Sequence, residues 1–476
     1  MTINDRAFAY AQIGYVLVVL LALILMPGAH IVTTLLAMVG VWFVVSGVYQ
    51  AAPWRNREGW WTLLIATTIL AVGIVANVHY FTVKVGATTE LPLLNNPDSY
   101  RFHYNALYTM GYPEGIFVDA KNHGYGLIIS TLWHITGVTI VAPLVLNMLV
   151  TLLSVLLSGG IAWRMLRGET SKSGRWIASC AMIMSASVCY FLNSGTLLLK
   201  EALLIFAFSL IGFSITSLVK MPTSRRRYVK MLLMFALGAV ILSFLRFNFL
   251  IMPVVGVLIL MKWQRKHLIM SSIMVLICVL AWGITANIGY QSQSEMANVS
   301  VMLIKGEGID NSFFLDDPHH ATYNGIVEGY LGYPWWKRLL YLPMSAAVQY
   351  LIPLPWGFGD DIHYGYTLAY AHISWPWYLV GGLILYYFIS AMRRSPDILR
   401  RVTVWGALMW LVPAYMFAGT VSRYTLPLLP ILIPSAVYIV ATWRQHTSMR
   451  RWMWVYGILL AIALVAAYFV QQGGVE

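Results

Sequence analysis

Apolar runs of about twenty residues, separated by short polar interruptions, occupy most of this chain. At 1.5 Å per residue such a run is long enough to cross the hydrocarbon core of a bilayer as a helix. The pattern predicts an all-α polytopic membrane protein with about thirteen crossings. They lie near 10–27, 30–50, 60–81, 140–163, 176–193, 198–219, 229–246, 247–262, 269–288, 374–392, 402–419, 424–442 and 452–470. No internal repeat or low-complexity tract divides the sequence, so residues 1–476 read as one domain.

The polar interruptions fix an orientation. Basic residues cluster at Arg55 and Arg57; at Arg164, Arg167, Lys172 and Arg175; at Lys220, Arg225, Arg226, Arg227 and Lys230; at Lys262, Arg265 and Lys266; at Arg393, Arg394, Arg400 and Arg401; and at Arg444, Arg450 and Arg451. With a cytoplasmic N-terminus every one of these loops falls inside, as the positive-inside rule requires. The two long interruptions, 82–139 and 289–373, then fall outside, and they carry acids instead: Glu90, Asp98, Glu114 and Asp119 in the first, Glu295 to Asp361 in the second.

Two segments inside these outer loops are apolar without being crossings. Residues 124–137 are too short to span, and a crossing there would put Arg164 on the wrong side; the segment reads as a helix lying in the outer interface. Trp335 to Trp356, interrupted by Pro343, Pro353 and Pro355, reads as an outer interfacial or re-entrant element.

Composition supports this picture. The chain is 59% hydrophobic and only 10% charged, with a mean hydropathy of +0.71, more apolar surface than a water-soluble fold can hide. Nineteen Trp and 28 Tyr suit aromatic belts at headgroup depth. The net charge of +13 is accounted for by the inner loops and does not indicate a nucleic-acid partner. The Cys at 180, 189 and 278 all fall in apolar runs, with neither disulfide nor metal spacing. No cleavable leader pattern is present.

The stretch Asn96 to Gly137, NPDSYRFHYNALYTMGYPEGIFVDAKNHGYGLIISTLWHITG, holds the most chemistry. Asp98 stands just beyond the third crossing, in a Pro97-Asp98-Ser99 helix entry. A carboxylate there can cap its helix or accept a proton near the membrane surface. Lys200 and Glu201 open the sixth crossing, Arg246 ends the seventh and Arg423 precedes the twelfth, all at the outer level. Charges at that depth pair locally, reach for headgroups, or line a polar cavity. Three cations at one level suit a lipid-borne phosphate. Asp316-Asp317-Pro318-His319-His320 and Asp360-Asp361-Ile362-His363 offer donors for a divalent cation, but the spacing fits solvated turns better than a rigid metal site. His103, His123 and His134 read as polar surface or acceptor-site residues rather than ligands, and no metal-binding residue is assigned.

The order of these features resembles the polyprenyl-phosphate-dependent GT-C glycosyltransferases, which include protein O-mannosyltransferases and the aminoarabinose transferases of lipid A. The resemblance rests on Asp98 with Tyr100 in the first outer loop, the segment NHGYGLIISTLWHITG, the span VLNMLVTLLSVLLSGGIAWRML, the segment NSGTLLLKEALLIF from Asn193 to Phe206, and SRYTLPLLPIL from Ser422 to Leu432. It covers about 85–220 and 420–432. Where many members have Asp-Glu, this chain has Asp98-Ser99. The resemblance implies a GT-C-like bundle with two large outer loops, at the outer face of a bacterial inner membrane. Asp98 would be the general base. Lys200, Arg246 and Arg423 would bind the donor phosphate, and Tyr100, Arg101, His103, Trp356 and Tyr424 would line the substrate site. The expected donor is a polyprenyl-phosphate-linked sugar, the acceptor an envelope glycan or lipid. A divalent cation such as Mg or Mn is compatible with the resemblance but not required by it. A repeat-unit polymerase or ligase of a surface polysaccharide would use a pyrophosphate donor and rely on Arg. A flippase or transporter would place polar residues and broken helices at the midplane, whereas the ions here gather at span ends.

Overall fold

The structure is a computed structural model that describes residues 31–83, 97–113, 115, 123–188, 195–219, 224–261, 265–288, 333–351, 375–417 and 425–473. The described residues form helices and turns, with no strand among them. In chain order the helices are α1 (Ile31–Gln50), α2 (Arg57–Val83), α3 (Pro97–Thr109), α4 (His123–Thr136), α5 (Val141–Leu166), α6 (Gly174–Ser187), α7 (Glu201–Val219), α8 (Arg225–Arg246), α9 (Ile251–Leu260), α10 (Arg265–Ile288), α11 (Trp335–Leu351), α12 (Trp375–Tyr386), α13 (Asp397–Phe417), α14 (Leu429–Ala441) and α15 (Met449–Gly473). The first apolar run, 10–27, lies outside the described residues.

Among the described residues, six helical segments are long and apolar enough to cross a membrane: Val141–Leu166, Glu201–Val219, Arg225–Arg246, Arg265–Ile284, Trp375–Arg394 and Met449–Phe469. Leu36–Gln50, Ile251–Leu260 and Leu426–Ala441 are apolar but shorter. This is a membrane-embedded helical protein: large apolar side chains such as Leu233, Leu258, Trp454 and Phe469 stand exposed around the bundle, where only lipid is a suitable solvent.

The bundle is organised around α7. In its apolar stretch 89% of residues are buried, against 11% in α15, so α7 is central and α15 peripheral. Small residues let neighbours close in on it. A Cβ on Gly212 would lie 3.3 Å from both Ile161 of α5 and Ile431 of α14. Gly238 of α8 sits directly over Ala207, Leu210 and Ile211. Two of its buried hydroxyls are satisfied within the helix: Ser209 donates to the Ile205 carbonyl and Ser214 to that of Leu210, both at 2.7 Å. Helices α5, α6 and α14 pack together beside α7, and α11 lies on α13.

The two short outer-loop segments predicted from sequence are helical. The segment 124–137 is α4, His123–Thr136, packed on α3. Residues 335–351 form α11, which runs through Pro343. Its faces are inverted relative to a water-soluble helix. Arg338, Ser345 and Gln349, spaced seven and four residues apart, are buried, while Trp335, Trp336, Leu339, Leu340 and Met344 are exposed. That polarity suits a helix whose outer side meets lipid.

Candidate functional site

The site forms where α3 and α4 meet the start of α7 and the end of α8. Pro97 is the first residue of α3, as its fixed φ and missing N–H favour. Asp98 is therefore the second residue of that helix, where a negative charge is stabilised by the helix dipole. The next residue ties the helix down: the Ser99 hydroxyl donates to the Leu198 carbonyl at 3.1 Å, two residues before Lys200. The backbones of Asp98 and Tyr100 belong to α3, while their side chains lie outside what is described.

Asn147 of α5 is the hub beneath this junction. Its amide nitrogen lies 2.7 Å from the Leu197 carbonyl, 2.9 Å from the Leu199 carbonyl and 2.9 Å from the Tyr125 hydroxyl of α4. The Tyr125 hydroxyl also lies 3.2 Å from Asn147 Oδ1. One buried amide thus holds the non-helical turn before α7 and the first turn of α4. Burial pushes the Tyr125 phenol far above its ordinary range; the Asn147 hydrogen bond opposes this and the Glu201 carboxylate adds to it. Tyr125 is therefore a neutral hydroxyl, able to donate and to accept.

Lys200 and Glu201 are 3% and 2% exposed. Buried charges at the mouth of an apolar helix are costly without compensating contacts. The Lys200 ammonium stands 5.4 Å from the centre of the Phe102 ring, within cation–π range. Phe102 in turn meets Tyr125 edge-on at 4.7 Å. Of the residues expected to line a sugar site, Arg101 is half-buried and His103 is 4% exposed. His103 is turned into the α3–α4 contact, edge-on to Trp133 at 5.2 Å. Burial pushes its imidazole down to about 4, so it is neutral near pH 7. His134 is exposed, and the side chain of His123 is not described.

Arg246 is the last residue of α8, and the packing sets its level. Gly238 lies over Ala207–Ile211 of the antiparallel α7. Counting eight residues outward, about 12 Å, reaches Arg246 on one helix and the Lys200–Glu201 start on the other. The same end of α8 receives α4: a Cβ on Gly124 would collide with the Phe244 carbonyl, so only glycine allows this approach. The Leu426–Leu428 turn also packs on α7, which anchors the chain immediately after Arg423 and Tyr424.

The structure thus brings together the backbone of Asp98, the Lys200–Glu201 helix start and the Arg246 end of α8. Arg423, Tyr424 and Trp356 lie outside the described residues, as do the clusters Asp316–His320 and Asp360–His363. Among the described residues no three His, Cys, Asp or Glu side chains gather as a metal site would require. Sequence reasoning missed Asn147; its signal was a lone amide inside the apolar run VLNMLV. Comparison of the chain with protein-family models, with curated proteins and with solved structures gives no match.

Proposed function

We propose that this protein is an inverting GT-C-like glycosyltransferase with about thirteen crossings. It would move a sugar from a polyprenyl-phosphate donor to an envelope glycan or lipid acceptor at the periplasmic face of a bacterial inner membrane. Asp98 accepts the proton of the acceptor hydroxyl as its oxygen bonds to the anomeric carbon. The bond from that carbon to the phosphate oxygen breaks, and polyprenyl phosphate leaves with the electron pair. Lys200, Arg246 and Arg423 offset the charge left on the phosphate. Tyr100, Arg101, Trp356 and Tyr424 contact the sugar, and His103 supports them from the α3–α4 contact.

The observation that carries this reading is the Ser99–Leu198 hydrogen bond. It ties the helix turn that bears Asp98, the only acid of α3, to the helix start that bears a buried lysine. Acid and cation at one end of a membrane bundle are what a lipid-borne phosphate leaving group requires. The test is a panel of labelled polyprenyl-phosphate and polyprenyl-pyrophosphate sugars, offered with envelope glycan acceptors to the purified full chain in nanodiscs. Transfer from a monophosphate donor is expected. Transfer from pyrophosphate donors alone would make it a polymerase or ligase, and solute or lipid flux without transfer would make it a carrier.

A further inference from the structure

The end of the bundle opposite the candidate site carries a cluster of donors without acceptors. Arg164 lies seventeen residues beyond Asn147 on α5, about 25 Å along the helix. Its guanidinium carbon stands 5.1 Å from the Trp163 ring centre and 5.9 Å from that of Phe213. Arg167, just past the end of α5, lies over the Trp163 ring at 4.2 Å. Trp54 completes the wall, 5.6 Å from Trp163 and 5.9 Å from Phe213, seated on Gly160 where a Cβ would meet its ring at 2.8 Å. Arg227, from the first turn of α8, stands near enough for its charge to act on Arg164 together with that of Arg167.

Two features of this cluster ask for an anion. The indole N–H of Trp54 and the Nε–H of Arg164 are both buried and both without a hydrogen-bond partner. A buried donor left unsatisfied costs about 1–3 kcal/mol, which native structures rarely leave uncompensated. The second feature is charge. Among the described residues, the ion pairs of Asp397 are with Arg400 and Arg401, and none joins a carboxylate to Arg164, Arg167 or Arg227. Like charges from α8 and from the end of α5 act on one another here.

We infer that Arg164, Arg167, Arg227 and the Trp54 N–H bind the phosphate of an anionic phospholipid headgroup. Guanidinium groups pair with phosphate oxygens through two parallel N–H bonds, and an indole N–H adds a third donor from the side. Depth favours a lipid over a free ion: about 25 Å from Asn147 is close to the thickness of a hydrocarbon core, which puts the cluster at the other headgroup layer. The aromatic residues around it, with Lys172 over Trp176 at 5.5 Å nearby, are those of an interfacial belt. The site is independent of the proposed glycosyl transfer and stands if that reading fails.

The test is lipid binding to the full chain in detergent, followed by native mass spectrometry. Phosphatidylglycerol, phosphatidylcholine of the same acyl chains and inorganic phosphate are titrated separately. One phosphatidylglycerol should bind the wild type in preference to phosphatidylcholine. Arg227→Gln, at an exposed position on a different helix, should weaken it about tenfold. Trp54→Phe keeps the ring on Gly160 and loses only the N–H, and should weaken it about threefold with an unchanged melting temperature. Equal affinity for phosphatidylcholine, or wild-type affinity in both variants, overturns the inference and leaves arginines that merely reach for the interface. Inorganic phosphate binding as tightly as the lipid overturns the lipid assignment.

Discussion

The hydroxyl of Ser99 donates to the backbone carbonyl of Leu198 across 3.1 Å, joining residues 99 positions apart in the chain. It fixes the first turn of α3 to the turn that leads into α7, and so sets Asp98 in register with Lys200. Ser99→Ala leaves a buried carbonyl without this donor. The expected loss is about 1 kcal/mol. Because the loss is local, glycosyl transfer should fall more than the melting temperature does. Equal activity in wild type and variant would show that this contact does not position the acid.

Asn147 carries more than one contact, and removing it should cost more. Asn147→Leu keeps the volume but takes this donor from the Leu199 carbonyl and the Tyr125 hydroxyl in an apolar interior, and leaves the Leu197 carbonyl with the Leu199 N–H alone. The expected destabilisation is about 2–4 kcal/mol, read as a lowered melting temperature in detergent. Tyr125→Phe removes one of these partners and should cost less than half as much.

His103 makes stability depend on pH. Its folded pKa is held down at about 4 by burial, against an ordinary value of 6.5. Above 6.5 the imidazole is neutral in both folded and unfolded chains and contributes no slope. As pH falls from 6.5 toward 4 the unfolded chain takes up a proton that the folded chain refuses. Stability drops across that window by on the order of 3 kcal/mol, and levels below it. His103→Phe fills the same place beside Trp133 and should flatten the profile between pH 6.5 and 4. A profile unchanged by the substitution would mean that other groups carry it.

Much of the scaffold was legible in the sequence, for identifiable reasons. Apolar run length marked the six helical segments that are long and apolar enough to cross a membrane. Pro97 marked the start of α3, and the shortness of the apolar segment 124–137 marked the short helix α4. The internal glue was harder to read. Asn147 looks in sequence like an isolated polar residue, because its partners are backbone carbonyls fifty and more positions away. Carbonyls leave no trace in residue type. In sequence His103 reads as a polar surface or acceptor-site residue, since a histidine in a polar loop gives no sign of which way α3 is turned; in the structure it is buried. The inverted faces of α11 were likewise hidden, since an amphipathic pattern does not say which side faces the protein.

The most direct test of the account is single-turnover transfer from a labelled polyprenyl-phosphate sugar in nanodiscs, comparing wild type with Asp98→Asn. Asparagine keeps the size of the side chain and cannot accept the acceptor's proton. Loss of a general base costs about 10²–10⁴-fold in rate, so the variant should bind the donor as wild type does and transfer at least a hundredfold more slowly. Transfer at the wild-type rate by Asp98→Asn would contradict the account, because a carboxylate at the head of α3 would then have no part in the chemistry.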